Sequence, residues 1–416
     1  MHYLRIILLI CLTSSIARFA LDSYLPSLPA LSQYFQTSPG YIQMTLTLYL
    51  LGFSLSQLIY GPLSDYYGRR IIMLYGLTIF IIGNLLCALA FSAPLLLLAR
   101  FIVGVGAGSC GVLNRAIASD CFKGSDFSKA WSHTTTALVL TLCIAPIMGG
   151  YIQEWYGWRA NFAIAFAYAM LVWAAVVKFL PETNSQTLSF TSTLWVTQFN
   201  TVVKNYYAVL TTPSFIIGTL CYTLAFAGLI AYFQVSSFLF TNQYQLRPSE
   251  YGWCSLLIAC SYLTGGIIVN QFVTRLGTQC LLFIGTFLLL AGGITMMFTY
   301  MCNYSSVFSV LLPATIYTLG ARIIIPNAIA NSLEELRHLG GSTSAVIGFM
   351  QMSGSFLLSL WIASYSHITS FILGGFLAGI GIITFGISYA SNRIKNHSTI
   401  GIAKMAVRPI EAQRSN

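Results

Sequence analysis

Charged positions along the chain are bunched, and the stretches between them are long. No Asp, Glu, Lys or Arg occurs in 23–64, 71–99, 130–153, 160–177, 205–246, 251–274, 276–321 or 338–392. Crossing about 30 Å of hydrocarbon takes roughly 20 apolar residues as helix. Runs of 18–29 residues therefore fit one crossing each, and runs of 42–55 fit two with a turn between them. In lipid only helices or closed barrels satisfy the backbone, and the ten-residue alternation of a barrel is missing. The pattern predicts an all-α polytopic membrane protein. Breaks at Gly, Pro, Asn and charged clusters divide it into twelve spans: 4–28, 41–60, 71–91, 95–116, 130–151, 160–180, 213–239, 250–271, 279–301, 305–330, 341–364 and 366–390. The stretch after Arg5 resembles a secretory leader, but it stays apolar as far as Leu28, so the first helix is expected to be retained.

Composition narrows the class. Of 416 residues, 20 are Lys or Arg and 10 are Asp or Glu, which is 7% charged, while 56% are hydrophobic. A soluble domain carries about 25% charge, so an ordinary globular enzyme is excluded, as are a disordered chain and a disulfide scaffold. With the N-terminus inside, 14 Lys and Arg fall on the cytoplasmic side and two, Arg159 and Arg247, outside. That bias predicts that both termini are cytoplasmic. The net charge of +10 then reports topology and attraction to anionic lipid rather than nucleic acid. Ten cysteines form no C-x-x-C pair and lie mostly in predicted helices, as small apolar residues do. Neither a metal nor a cofactor is expected, and without a P-loop the chain has no nucleotide-driven engine of its own.

The longest polar interruption, 181–212, separates spans six and seven. Gly68 of GPLSDYYGRR corresponds to Gly277 of NQFVTRLG at an offset of 209, and GSCGVLNRAIAS (108–119) parallels GARIIIPNAIAN (320–331) at 212. Two near-equal offsets imply a duplicated six-helix unit. The expected division is an N-terminal bundle 1–180, a cytoplasmic linker 181–212, a C-terminal bundle 213–390 and a basic tail 391–416. Such repeats build secondary transporters whose site lies at the midplane between the halves.

The sharpest motif is the turn at 61–70, with Gly61, Asp65, Gly68, Arg69 and Arg70. Its glycines permit a tight reversal, and Asp65 can pair with Arg69 or Arg70 or sit at a helix N-terminus. Contacts of that kind would latch one transport state. Pro146, Gly149 and Gly150 supply a kink and close packing in helix five.

On these residues the chain resembles the major facilitator superfamily, and within it the Bcr/CflA-type drug:proton antiporter branch. The 61–70 turn is similar to the family's motif between helices two and three. Leu96–Gly108, with Arg100, resembles the helix-four motif, and Ala145–Gly150 the antiporter motif of helix five, although Ala145 stands where the family usually has Gly. Leu21–Pro29, Arg115-Ala116-Ile117 with Asp120, Trp158-Arg159, Pro181-Glu182-Thr183 and Pro326-Asn327-Ala328 are more local signatures. The resemblance implies twelve helices in two bundles, alternating access, and a latch that includes Arg115 and Asp120.

Five charges remain inside the helices: Asp22, Arg18, Arg100, Arg115 and Arg322. An intramembrane carboxylate points to ion or substrate handling. Asp22 and Arg100 each lie about six residues, or roughly 9 Å, from the outer ends of their helices, which predicts a direct pair. The resemblance implies the same pair, with the acid as a protonation site. Arg18, one turn before Asp22, makes a permanent ion pair the alternative, or else binds an anionic substrate. Arg322 suggests a partly anionic substrate or a helix-end partner. Tyr222, Phe226, Tyr232, Gln234, Gln351 and Met352 are cavity candidates, and His133 is read as a satisfied polar residue. The expected function is proton-coupled efflux of small amphipathic compounds by a monomer in the lipid bilayer, with protons as coupling ion. The alternative is a specific metabolite or siderophore carrier. A sensor with a transporter fold would have no use for the latch.

Overall fold

The structure is a computed structural model and describes residues 2–184, 192–304, 306–333, 340–365 and 368–390. The expected basic tail 391–416 and residues 185–191 of the linker lie outside the described residues.

Helices account for all of the described secondary structure. Helix α1 (His2–Asp22) ends where Pro26 and Pro29 enter, because proline cannot donate to a continuing helix; each proline instead sits at the start of a short helix, a 3₁₀ turn at Leu25–Ser27 and α2 at Leu28–Tyr34. Then come α3 (Pro39–Tyr67), α4 (Arg69–Ala88), α5 (Ala93–Cys121), α6 (Ser125–Tyr156) and α7 (Trp158–Phe179). After α8 (Ser192–Leu210) follow α9 (Pro213–Phe238), α10 (Pro248–Met301), α11 (Phe308–Leu333), α12 (Gly340–Ala363) and α13 (Ser370–Ala390). The 54 residues of α10 are two crossings joined at Gly277, whose φ of 74° and ψ of 162° break the helix. Each expected span has a helix, giving twelve crossings.

Gly68 has φ 98° and ψ 150° and is the whole break between α3 and α4. Its repeat partner Gly277 does the same work between the second and third crossings of the other half. Both conformations belong to the positive-φ region that glycine enters without a Cβ penalty. The reversal is tighter than expected. Helix α3 runs through Gly61 and Pro62 to Tyr67, and a Cβ on Gly61 would meet only ordinary van der Waals contact, so Gly61 takes no part in the turn.

Two six-helix bundles result, α1 with α3–α7 and α9–α13, meeting where α3 lies on α12 and α6 on the first arm of α10. Within the first bundle α3 and α5 pack backbone on backbone at Gly52 and Gly104, where an added Cβ would collide with the Phe101 and Tyr49 carbonyls respectively. Small residues at such crossings let backbones touch. Gly104→Ala should therefore cost about 2 kcal/mol, the usual scale of overpacking. The check is the unfolding temperature of the purified protein in detergent; an unchanged value would mean that the crossing tolerates a wider spacing.

Candidate functional site

Between the bundles lies a cavity of about 300 Å³. Helices α1, α3, α5 and α6 supply one wall, including Arg18, Tyr49, Phe53, Asn114, Arg115 and Trp131. The other wall comes from α9–α12 and includes Tyr222, Phe226, Phe233, Tyr262, Gln351 and Met352. Four of the expected cavity residues are therefore in place: Tyr222, Phe226, Gln351 and Met352. Tyr232 and Gln234 are not among the lining residues.

The cavity reaches from mid-helix toward the end that carries Gly68, and the opposite end, marked by Glu154, is sealed by contacts between bundles. One Glu154 carboxylate oxygen accepts from both the backbone N–H (2.8 Å) and the hydroxyl (2.6 Å) of Ser249, in the first turn of α10. An acid there meets the free donors and positive end of the helix. Ser237 donates to the Leu25 carbonyl at 2.6 Å. Deeper, Ser359 donates to Gln234 at 2.7 Å and bonds Thr47 at 2.6 Å, while Gln234 also meets Gln43. Gln234 is thus a fully buried part of the seal rather than a cavity side chain, because its amide finds several partners across the interface. Tyr232 is buried beside it, in ring contact with Phe233.

The proline–glycine stretch of α6 makes this seal possible. Pro146 is buried inside the helix, Gly149 lies on the backbone of Ser23, and Gly150 lies on the backbone of Pro248 and Ser249 in the other bundle. Any side chain at 150 would occupy the space of the Pro248 carbonyl.

The charges inside the helices are arranged differently from the expectation. Asp22 pairs with Arg18, not with Arg100: Arg18 Nε stands 2.5 Å from Asp22 Oδ2. Arg100 instead lies fully buried with its guanidinium 4.1 Å from the Tyr24 ring centroid, 4.7 Å from Tyr49 and 5.9 Å from Phe162. It donates to the Ala20 carbonyl at 3.3 Å. Equal depth in the membrane brought Asp22 and Arg100 to the same level, but rotation about the helix axes turns Arg100 into a box of rings. Its cation is held by aromatic faces. The other Asp22 oxygen, Oδ1, is buried without a hydrogen-bond partner among the described residues.

Arg115 also departs from its expected place in the latch. It lines the cavity with its guanidinium 5.1 Å from the Trp131 ring centroid. Arg322 stacks on Tyr262 at 4.9 Å and lies against Gly265 and Gly266, so that Tyr262, rather than the arginine itself, forms the cavity wall. Tyr222 lies within electrostatic reach of both arginines. His133 is exposed near the Gly68 end of α6.

At the Gly68 end Arg69 gathers Asp65 (2.5 Å), Asp120 (3.1 Å) and the Ser64 hydroxyl (2.6 Å). Arg70 does not join Asp65; it donates to the Val177 carbonyl at 2.6 Å on α7. Glu182 completes the cluster, accepting from the backbone N–H of Arg69 at 2.8 Å and of Arg70 at 3.2 Å. These are the free donors at the start of α4. Pro181-Glu182-Thr183 was legible as a signature, but not this capping role. Tyr206 of α8 donates to the Leu58 carbonyl at 3.3 Å, and burial, with the Asp65 carboxylate nearby, pushes its phenol up to about 12.

Comparison with known proteins places this arrangement. Residues 10–359 match the model of the Major Facilitator Superfamily. The chain is 24% identical over 359 residues to a bicyclomycin resistance protein homolog of Haemophilus influenzae, covering 86% of this chain and 88% of that one. It is 26% identical to a chloramphenicol resistance protein of Pseudomonas aeruginosa, covering 80% of this chain and 77% of the other. Among solved structures it is similar to the xylose transporter XylE from E. coli in a partially occluded inward-open conformation, with a TM-score of 0.73 and 13% identity, covering 94% and 97% of the two chains. That likeness concerns the fold.

Proposed function

The chain belongs to the major facilitator superfamily, and on that premise we propose that it exports small amphipathic compounds in exchange for protons. The observation that carries this reading is the buried Asp22 carboxylate, held by Arg18 at the wall of a cavity between two bundles. A carboxylate so placed has a partner it can exchange, either for a proton or for a substrate group. Export is supported by the resistance proteins to which the chain is similar. The Bcr/CflA-type resemblance supports exchange.

In this reading the Gly68 end faces the cytoplasm of a bacterial inner membrane, as the Lys and Arg bias predicts. The arrangement described is then closed to the outside. A compound enters from the cytoplasmic side and meets Arg18, Arg115 and the aromatic lining. Occupancy of the cavity favours whichever state binds the compound better, which is all that any ligand can do to a conformational equilibrium. Outward release follows when the Glu154 end parts and the two bundles close together at the Gly68 end. A proton taken by Asp22 from outside resets the cycle. The unit boundaries are read as 1–180 and 213–390 with 181–212 between, and the working form as a monomer.

Inside-out vesicles acidified internally test this. Added compound should draw protons out of the wild-type vesicles, seen as recovery of a quenched pH-sensitive dye. The Asp22→Asn protein should give no recovery. Wild-type recovery by that variant would remove Asp22 from the coupling. No recovery with any transported compound in the wild type would remove exchange itself.

A further inference from the structure

We infer that Arg18 is a charge filter: it covers Asp22 on the cavity side, so that the site takes uncharged, hydrogen-bonding aromatic compounds and turns away lipophilic cations. The inference rests on the exchange reading above and names its substrate class.

The geometry of one helical turn carries it. Arg18 and Asp22 share a face of α1, four residues apart, yet only Arg18 is in the cavity wall. Its side chain is 18% exposed and that of Asp22 is 1% exposed. A compound entering the cavity meets the guanidinium first. An approaching cation would have to displace a cation to reach the carboxylate that attracts it.

The remaining lining reinforces the selection. Among the described residues its formally charged ones are Arg18 and Arg115, and Arg322 stands just behind Tyr262. Repulsion between like charges is strong where water is scarce. Three of the lining's aromatic faces are already engaged by protein cations: Trp131 by Arg115, Tyr262 by Arg322 and Tyr49 by Arg100. Among the described residues the other groups around Asp22 add no negative charge. They include the hydroxyls of Tyr49 on α3 and Tyr251 on α10, Arg100 of α5 on the Ala20 carbonyl, Tyr168 of α7 against Phe19, and the α6 backbone at Gly149 against Ser23.

An uncharged compound has no charge to displace: its carbonyl or ether oxygen accepts from the Arg18 guanidinium at the cavity wall. Arg18 is held there by the ionised Asp22 carboxylate, so the compound and a proton on Asp22 exclude one another, as exchange requires. An anion would instead draw Arg18 away from Asp22 and favour a proton there. Anion and proton would then bind together and travel the same way.

The probes are chloramphenicol, an uncharged aromatic amide alcohol, and tetraphenylphosphonium, a lipophilic cation, bound to the purified full-length protein at pH 8.5 and 6.5. The wild type is expected to bind the cation at least tenfold more weakly than the neutral probe. Arg18→Gln should gain at least tenfold in cation binding at pH 8.5 and lose much of that gain at pH 6.5. Adding Asp22→Asn to it should remove the gain. Arg18→Lys, which keeps the charge, should go on rejecting the cation and reports on selectivity even if the glutamine variant folds poorly. Equal binding of both probes by the wild type would overturn the filter, as would binding of neither, or an unchanged ratio in Arg18→Gln. Cation transport against protons in the wild type would remove the filter and leave exchange standing. Co-movement of benzoate with protons would instead remove exchange.

Discussion

Gly150→Leu is expected to lower transport at least 100-fold while the protein still folds and inserts. The reason lies in the seal at the Glu154 end. Gly150 touches the backbone of Pro248 and Ser249 in the opposite bundle, and a Cβ at 150 would overlap the Pro248 carbonyl. Backbone cannot step aside as a flexible side chain can. Forcing extra carbons into such a contact costs about 3 kcal/mol, which shifts a two-state population by a factor on the order of 100. The strain falls only on the arrangement in which α6 and α10 touch, so each bundle can still assemble and the outer end is held apart. A cysteine placed at Ser237, which bonds Leu25 in the closed seal, should then react readily with a membrane-impermeant maleimide from outside. Wild-type transport by Gly150→Leu, or an unreactive Cys at 237 in that background, would show that the seal closes by some other contact. Glu154→Gln should do far less, because an amide oxygen can still accept from Ser249.

Arg100→Ala is expected to cost about 3 kcal/mol of stability and most of the folded protein, whereas Arg100→Met should fold and not transport. Truncation leaves a void between the rings of Tyr24, Tyr49 and Phe162, and voids lined by large side chains are expensive. Methionine refills much of that volume with a polarizable chain suited to aromatic neighbours. It also removes a buried cation with two unpartnered guanidinium nitrogens, which is why folding should recover. Transport should not, because methionine cannot donate to the Ala20 carbonyl and so cannot hold the turn of α1 that carries Asp22. Yield and thermal unfolding in detergent read the first effect, and vesicle proton movement reads the second. If Arg100→Met transports at the wild-type rate, Arg100 serves packing only.

The helices were legible because hydrocarbon imposes a length, and the breaks because few residues can make them. Gly68 and Gly277 show this best: the repeat offset aligned them, and both prove to hold positive φ between equivalent crossings. The site was legible in kind but not in pairing. Depth along a helix placed Asp22 level with Arg100, yet depth is one coordinate, and azimuth decided for Arg18. Arg115 likewise shares its helix with Asp120, but faces the cavity while Asp120 meets Arg69. Gln234 was read as lining because a polar residue at mid-span has two refuges, a wet cavity or a partner across an interface. It took the second. Glu154 carried no signal, since its partner Ser249 lies 95 residues on and nothing periodic links them.

What the chain determined by itself was the number of crossings, their approximate ends, the duplication and the small set of charges that would need an explanation inside the membrane. Those follow from local composition, because every twenty-residue stretch must satisfy lipid on its own terms. The tertiary structure alone decided which acid meets which arginine, which arginines line the cavity and which end is shut. These depend on how each helix is rotated about its axis and where the two bundles touch. Both are settled by the summed packing of distant residues rather than by any one stretch of sequence.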